Sequence, residues 1–143
     1  EVRDAVETVI MGIDIVDTRW GVHPFKLNIH QGNADNACAG AFVIGSELEG
    51  WQSLNLATLP VSLSLDGEHA SGEPWEGEQR CTLDQLYAAL HWAANALSER
   101  GIGFKAGEVV STGSPHQPVI MEKGAEALIR YGDVGEIRVT VEA

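Results

Sequence analysis

The sequence predicts an α+β protein in which short strands outnumber two helices, one long and one short. Three observations carry that prediction. Short runs rich in Val, Ile and Leu, at residues 11–16, 41–44, 59–65 and 136–141, are separated by turns built on Gly, Asn, Asp and Pro. One stretch, residues 83–97, keeps apolar residues at helical spacing over several turns. With 16 glycines and a 44% apolar fraction, the 143-residue chain has the composition of a turn-rich globular protein. A chain of this length is expected to form one domain, burying roughly two thirds of its unfolded surface.

Residues 1–10 set Val2, Val6, Val9 and Ile10 at helical spacing, with acidic residues that favour the positive end of a helix dipole, and so predict the short helix. It leads into Ile13-Asp14-Ile15-Val16, whose β-branched residues predict a strand and make Asp14 the first candidate site residue. A carboxylate carried toward the interior needs a cation, a metal or several N–H donors. Alternation along Ile13, Asp14 and Ile15 equally permits a strand with one wet face and a solvated Asp14. The segment 20–25 reads as loop, because Pro24 biases His23 away from the helical region. Lys26 lies among Phe25, Leu27 and Ile29, so its stem fits apolar surface while its ammonium seeks a partner; an ordinary exposed lysine has the same pattern.

Residues 31–36 form a dense polar turn that either caps local backbone or presents Asp35, Asn36 and Cys38 to a pocket. The small apolar run 37–45 follows, with a strand at Ala41–Ile44. Leu54 to Glu73 reads as a β-hairpin that turns at Asp66-Gly67, Pro60 marking an edge or a strand start. Gly72 to Glu78 is an acidic surface loop around Trp75. Thr82 is the expected N-cap of the long helix, Asp84 lies in its first turn, and Leu83, Leu86, Ala89, Leu90, Ala93 and Leu97 are its apolar stripe. Arg100-Gly101 ends it, and His91 and Trp92 read as packing and surface residues. A turn over 101–107 feeds an expected strand Glu108–Ser111, which stops at Thr112-Gly113-Ser114-Pro115, the kind of strand end that lines pockets. Pro118–Met121, Ala125–Tyr131 and Glu136–Val141 read as closing strands, with turns at Lys123-Gly124 and Gly132-Asp133.

A net charge of −12 and the lack of any basic cluster argue against nucleic acid as a partner. An anionic small substrate stays compatible wherever a basic group or divalent cation acts within a Debye length of about 8–10 Å. No apolar stretch approaches the roughly 20 residues of a membrane span, and no signal-peptide pattern is visible. Cys38 and Cys81 lack metal-type spacing, so free thiols in a reducing, cytoplasmic compartment are expected. The sequence opens at Glu1 rather than Met, so its natural start is expected upstream.

Taken in order, Gly12-Ile13-Asp14-Ile15-Val16-Asp17-Thr18-Arg19, Lys26, Ala34-Asp35-Asn36-Ala37-Cys38-Ala39-Gly40, Val43-Ile44-Gly45 and Lys105-Ala106-Gly107-Glu108-Val109-Val110-Ser111-Thr112-Gly113-Ser114 resemble the fumarylacetoacetate hydrolase superfamily. The branch most similar is that of the 2-hydroxydienoate hydratases and 4-oxalocrotonate decarboxylases of aromatic catabolism. The resemblance spans nearly the whole chain and corresponds to the C-terminal part of such an enzyme. It implies a mixed β-sheet roll with flanking helices, and a Mg²⁺ or Mn²⁺ ion held by three carboxylates: a Glu-x-Glu pair on an upstream strand and a third at Asp14. A hard cation with those ligands would polarise the carbonyl of a 2-oxo acid and open an enolate route. Lys26 and Asp35 match pocket positions implied to stabilise charge, handle protons or position water, Asn36 one that orients polar groups, and Thr112, Gly113 and Ser114 a substrate-binding wall.

Three departures stand beside this likeness. No Glu-x-Glu precedes Asp14, Asp takes the place of the longer Glu usual in the hydratases, and Cys38 stands where Ser or Ala is usual. Cys38 by itself reads as a small buried hydrophobe, or as a catalytic thiol. Three functions follow. The first is a metal-assisted lyase on a short 2-hydroxydienoate or 2-oxo acid, hydration ahead of decarboxylation or keto–enol isomerisation, with the missing ligands supplied by the native polypeptide or another chain. The second is a repurposed, metal-independent catalyst using Asp35, Lys26, His23 or Cys38. The third is a non-catalytic partner subunit. Exposed sheet edges predict a homo-oligomer or association with a chain that supplies the missing part.

Overall fold

A computed structural model of the chain describes residues 1–56, 58–70, 83–114 and 118–142. The expectations for the acidic loop at Gly72–Glu78, for Cys81 and for a Thr82 cap lie outside those residues.

Two antiparallel sheets form the framework. The first pairs β1 (Ile10–Val16) with β2 (Ala39–Glu47). The second has four strands in the order β4-β3-β5-β6, with β3 at Val61–Leu65, β4 at Glu68–His69, β5 at Glu126–Tyr131 and β6 at Gly135–Thr140. The turns are those that local chemistry asks for. Asp66 and Gly67 take φ of 49° and 83° between β3 and β4, and Gly132 takes φ of 53° between β5 and β6, positive values that glycine and aspartate tolerate.

The sheets meet through a small core of Met11, Leu48, Trp51 and Ile137, with Ile13, Val43, Tyr87, Tyr131 and Val139 packed around it. Tyr131 adds a directional tie, its hydroxyl donating to the Gly12 carbonyl at 2.7 Å. Burial pushes that phenol above its ordinary pKa. Close approach explains two glycines: a Cβ at Gly45 would stand 2.7 Å from Ile137 Cδ1, and one at Gly135 would stand 2.6 Å from Met11 Cε.

The long helix α2 (Leu83–Ser98) forms as its periodicity predicts, with Leu86, Tyr87, Leu90, Ala93, Ala94 and Leu97 half-buried on one face. Gly101, at φ 72°, ends it, and the Ile102 N–H bonds back to the Leu97 carbonyl at 2.9 Å. Arg3 ties the N-terminal segment to this helix by pairing with Asp84 and lying over the Tyr87 ring. Among the described residues no helix is long and apolar enough to cross a membrane.

Four local expectations differ. Residues 1–10 make one 3-10 turn, Arg3–Ala5, rather than a helix. Val6 and Val9 reach the core instead from an extended path, and one or two isolated helical turns gain too few hydrogen bonds to compete. The short helix lies in the polar segment expected to be a turn, as α1 (Ile29–Ala34). Asn28 accepts from the Gln31 N–H and the Gln31 side chain accepts from the Asn28 N–H, a capping box readable as Asn-x-x-Gln. Residues 108–111 and 118–121 are not strands. Their β-branched residues suit the conformation, but a strand exists only by pairing, and Val109 and Val110 remain 49% and 41% exposed.

Candidate functional site

Alternation along β1 decides where Asp14 goes. Met11 and Ile13 face the core, so Gly12 and Asp14 point to the outer face of the two-stranded sheet. Asp14 lies opposite Phe42 in the register and Gly12 opposite Ile44, and the Phe42 ring covers Gly12 so closely that a side chain there would collide with it. Asp14 is therefore exposed, so of the two placements that alternation permits, the wet face holds and the interior one does not. The interior face was taken by the larger apolar residues of the same strand.

On this outer face Asp14, Ala39, Gly40, Ala41, Phe42 and Ile44 line an open cleft of about 520 Å³, closed on one side by Val109 and Ser111. One carboxylate thus stands among small and apolar side chains. The cleft bends at a bulge: Ile15 pairs with Ala41 but Val16 with Ala39, leaving Gly40 between them. A Cβ on Gly40 would stand 2.7 Å from the Ile15 carbonyl oxygen and 2.9 Å from Asp17 Cβ, so the bulge requires glycine.

Asp35 is buried and does not line the cleft. Its side chain is 4% exposed and accepts three hydrogen bonds. Oδ2 accepts from the Thr18 hydroxyl at 2.6 Å and the Arg19 N–H at 3.0 Å, and Oδ1 accepts from Arg19 Nη1 at 3.1 Å. Thr18 Oγ1 also accepts from the Trp20 N–H at 3.2 Å. The Thr18 hydroxyl, ahead of the Arg19 N–H and guanidinium, holds the Asp35 carboxyl below the ordinary range against the opposing effect of burial. The resemblance implies proton handling or water positioning for Asp35. Each of these bonds favours the ionised form, so the Asp35 carboxylate ties Thr18 and Arg19 to the turn that Asp35 opens.

Asn36, Ala37 and Cys38 follow with φ of 52°, 55° and 61°, three consecutive L residues in the left-handed region. Asn36 is exposed, whereas Cys38 is a buried free thiol at 9% exposure, as a small hydrophobe would be. Lys26 is exposed at the end of a 3-10 turn, Pro24–Lys26, and does not line the cleft. Thr112, Gly113 and Ser114 are exposed and lie just beyond the cleft wall, to which the preceding residues Val109 and Ser111 contribute. The structure thus places Asp14 in the cleft lining and Lys26, Asp35, Asn36, Cys38 and Thr112–Ser114 outside it, Asp35 and Cys38 being buried.

Sequence reasoning gave no role to Thr18 or Arg19 and did not single out Gly40, Phe42 and Ser111. The small-residue run 37–45 was the available signal for the wall. The Thr18–Arg19–Asp35 cluster bridges 16 or 17 residues of chain and had no local signature.

Divalent metal chemistry asks for several oxygen donors around one point. Among the described residues no group of three or more His, Cys, Asp or Glu side chains is arranged to hold a metal ion, and Asp14 is the one carboxylate of the cleft lining. These residues alone do not fit a Mg²⁺ or Mn²⁺ centre.

Residues 1–142 match the family model for the C-terminal region of fumarylacetoacetate (FAA) hydrolase. The chain is 37% identical to 2-hydroxyhexa-2,4-dienoate hydratase of Comamonas testosteroni over 80% of its own length and 41% of that enzyme. It is 28% identical to 2-keto-4-pentenoate hydratase of Paraburkholderia xenovorans strain LB400 over 100% of itself and 51% of that relative. The fold superposes on 4-oxalocrotonate decarboxylase from Pseudomonas putida G7, solved with magnesium and adipate, with a TM-score of 0.75 and 25% identity, covering 96% of this chain and 51% of that one. The chain spans about half the length of the curated relatives it matches. The Asp14 strand, the bulged wall and the two-sheet framework therefore belong to a member of the fumarylacetoacetate hydrolase family, corresponding to its C-terminal region.

Proposed function

We propose that this chain is a single domain forming the C-terminal catalytic part of a lyase that hydrates a short 2-hydroxydienoate of the 2-keto-4-pentenoate type. The observation that carries this reading is the Asp14 carboxylate, set on the outer face of β1 in a cleft whose wall is Ala39-Gly40-Ala41. A wall of small residues lets a flat, conjugated acid lie close to backbone, and Phe42 and Ile44 offer it an apolar edge. A 2-oxo acid is itself anionic, so beside Asp14 in a chain of net charge −12 its binding calls for positive charge between the two carboxylates. Mg²⁺ or Mn²⁺ would supply it and the Lewis acidity that makes an enolate accessible. Asp14 would give such an ion one oxygen, and the remaining donors would come from outside the described residues, from the native polypeptide or another chain. The apolar groups left exposed at the cleft, Ile44 at 59% and Val109 at 49%, support a homo-oligomer or an association that covers this face. In this reading Lys26 stabilises charge, Asn36 orients polar groups and Thr112–Ser114 extend the wall once the site is complete. Cys38, a buried free thiol, is packing rather than nucleophile. The setting is cytoplasmic, a reading supported by the spacing of Cys38 and Cys81 in the sequence and by the free thiol of Cys38.

Decarboxylation is the second reading, favoured by the superposition on 4-oxalocrotonate decarboxylase.

The native full-length protein, wild type and Asp14→Asn, tests both. Melting temperature is titrated with Mg²⁺ and Mn²⁺, with and without oxalate. Ultraviolet absorbance follows loss of 2-hydroxypenta-2,4-dienoate or 4-oxalocrotonate, and carbon dioxide release separates the two reactions. The expected result is a cation-dependent rise in melting temperature, larger with oxalate and lost in Asp14→Asn, accompanying hydration. An unchanged cation response in Asp14→Asn removes Asp14 as a ligand, and turnover of neither substrate overturns the lyase reading.

A further inference from the structure

We infer that Arg19 is the positioning residue of the cleft, acting through Asp35 and Ala39 rather than by touching anything bound. One guanidinium bonds both ends of a single turn. Nη1 donates to Asp35 Oδ1 at 3.1 Å and to the Asp35 carbonyl at 3.3 Å, while Nη2 donates to the Ala39 carbonyl at 3.0 Å. Between those anchors lie Asn36, Ala37 and Cys38, all in the left-handed region. Such a run persists only where its surroundings over-determine it. The Cys38 N–H bonds the Asp35 carbonyl at 3.0 Å, and the Cys38 carbonyl accepts from the Asp17 N–H at 2.9 Å, which fastens the turn to the end of the Asp14 strand.

The consequence reaches the cleft within two residues. Ala39 is both the acceptor of Arg19 and the first residue of the wall, and Gly40 is the bulge that sets how Ala41 and Phe42 face Ile15 and Asp14. The clamp therefore fixes the separation between the wall and the carboxylate. A planar fork reaches three acceptors at once, whereas a lysine ammonium is a point charge that cannot span them. Arg19 is largely exposed and Asp35 buried, so substitution at Arg19 disturbs the clamp without emptying the core.

What the cleft binds rests on the proposed function; how its wall is held does not, and the test separates them. The ¹⁵N-labelled native full-length protein is studied by nuclear magnetic resonance as wild type, Arg19→Lys, Asp35→Asn and the double variant, and the same proteins are melted with Mn²⁺ and oxalate. In Arg19→Lys the Asp17 and Cys38 amides are expected to exchange about tenfold faster or more, the change that loss of a hydrogen bond to a charged group brings. The Asp14, Ala39 and Ala41 resonances shift with them. The Ala127, Ile129 and Ile137 amides keep wild-type exchange, which reports an intact large sheet. Asp35→Asn reproduces the pattern, and the double variant goes no further than the worse single one, because both act through one clamp. Wild-type Asp14 and Ala41 resonances with unchanged Asp17 and Cys38 exchange in Arg19→Lys overturn the inference, as does uniform loss of protection across both sheets. If the wild type shows no response to Mn²⁺ and oxalate while the local pattern appears, the positioning stands and the functional reading falls.

Discussion

Replacing Met11 by alanine tests whether the strand that carries Asp14 is anchored as described. Met11 is 1% exposed, and its neighbours come from both sheets and from the Leu48–Trp51 segment between them. The substitution removes three heavy atoms beyond Cβ, which at about 0.8 kcal/mol per buried methylene-sized group is worth roughly 2 kcal/mol. Neighbours fixed in two sheets relax only partly, so the cavity adds to that, and a loss of about 3 kcal/mol is expected, within the usual range of about 2–5 for Met→Ala. At this chain length that lowers the melting temperature by about 10 °C. Urea unfolding followed by tryptophan fluorescence and by far-ultraviolet circular dichroism measures it, with an unchanged m-value expected. Gly135→Ala supplies the internal control. Its methyl would stand 2.6 Å from Met11 Cε and 2.8 Å from Sδ, so it should cost about 1–3 kcal/mol by overpacking in the wild type and clearly less in Met11→Ala, where the space is free. A loss below about 1 kcal/mol for Met11→Ala, or equal costs of Gly135→Ala in both backgrounds, would refute the packing argument.

Three further outcomes are expected. The Asp35 carboxyl is held below its ordinary range in the folded state, so its stabilising contribution is complete above the ordinary carboxylate pKa and is lost as pH falls through the lower folded value; urea midpoints measured down from neutral pH should show an acid limb that flattens in Asp35→Asn. Tyr131→Phe deletes the bond from its hydroxyl to the Gly12 carbonyl and should cost about 1–2 kcal/mol in urea, with the four-stranded sheet intact by circular dichroism. Gly40→Ala drives a methyl toward the Ile15 carbonyl and should destabilise by about 1–3 kcal/mol while shifting the amide resonances of Ala39, Ala41 and Asp14.

Much of this architecture was legible before any coordinates. The β1 and β2 strands, the hairpin turning at Asp66-Gly67, α2 with its stop at Gly101, and the closing pair β5–β6 with a turn at Gly132 all arise from signals carried within a few residues. Period-2 or period-3.6 patterning and residues that tolerate positive φ act locally, so composition and spacing record them. The Asn28–Gln31 capping box belongs to the same class and was equally readable. The ordered motifs around Asp14, Asp35 and Gly107 carried the family as well, and the match over residues 1–142 agrees.

Other features depended on partners distant in the chain. Asp14 alternates with isoleucines, and alternation is symmetric between the two faces of a strand; the choice fell to Met11 and Ile13, whose burial against Ile137 and its neighbours left Asp14 outside. The β-branched residues at 108–111 had strand chemistry but no paired edge among the described residues, so they formed no strand and stayed exposed. Asp35 reads as a turn residue until Thr18 and Arg19 fold onto it and make it a buried, ionised anchor. Local preference selects the conformation of a segment, whereas its face, its pairing and the environment of its charges follow from which other segments compete for the same space and the same donors.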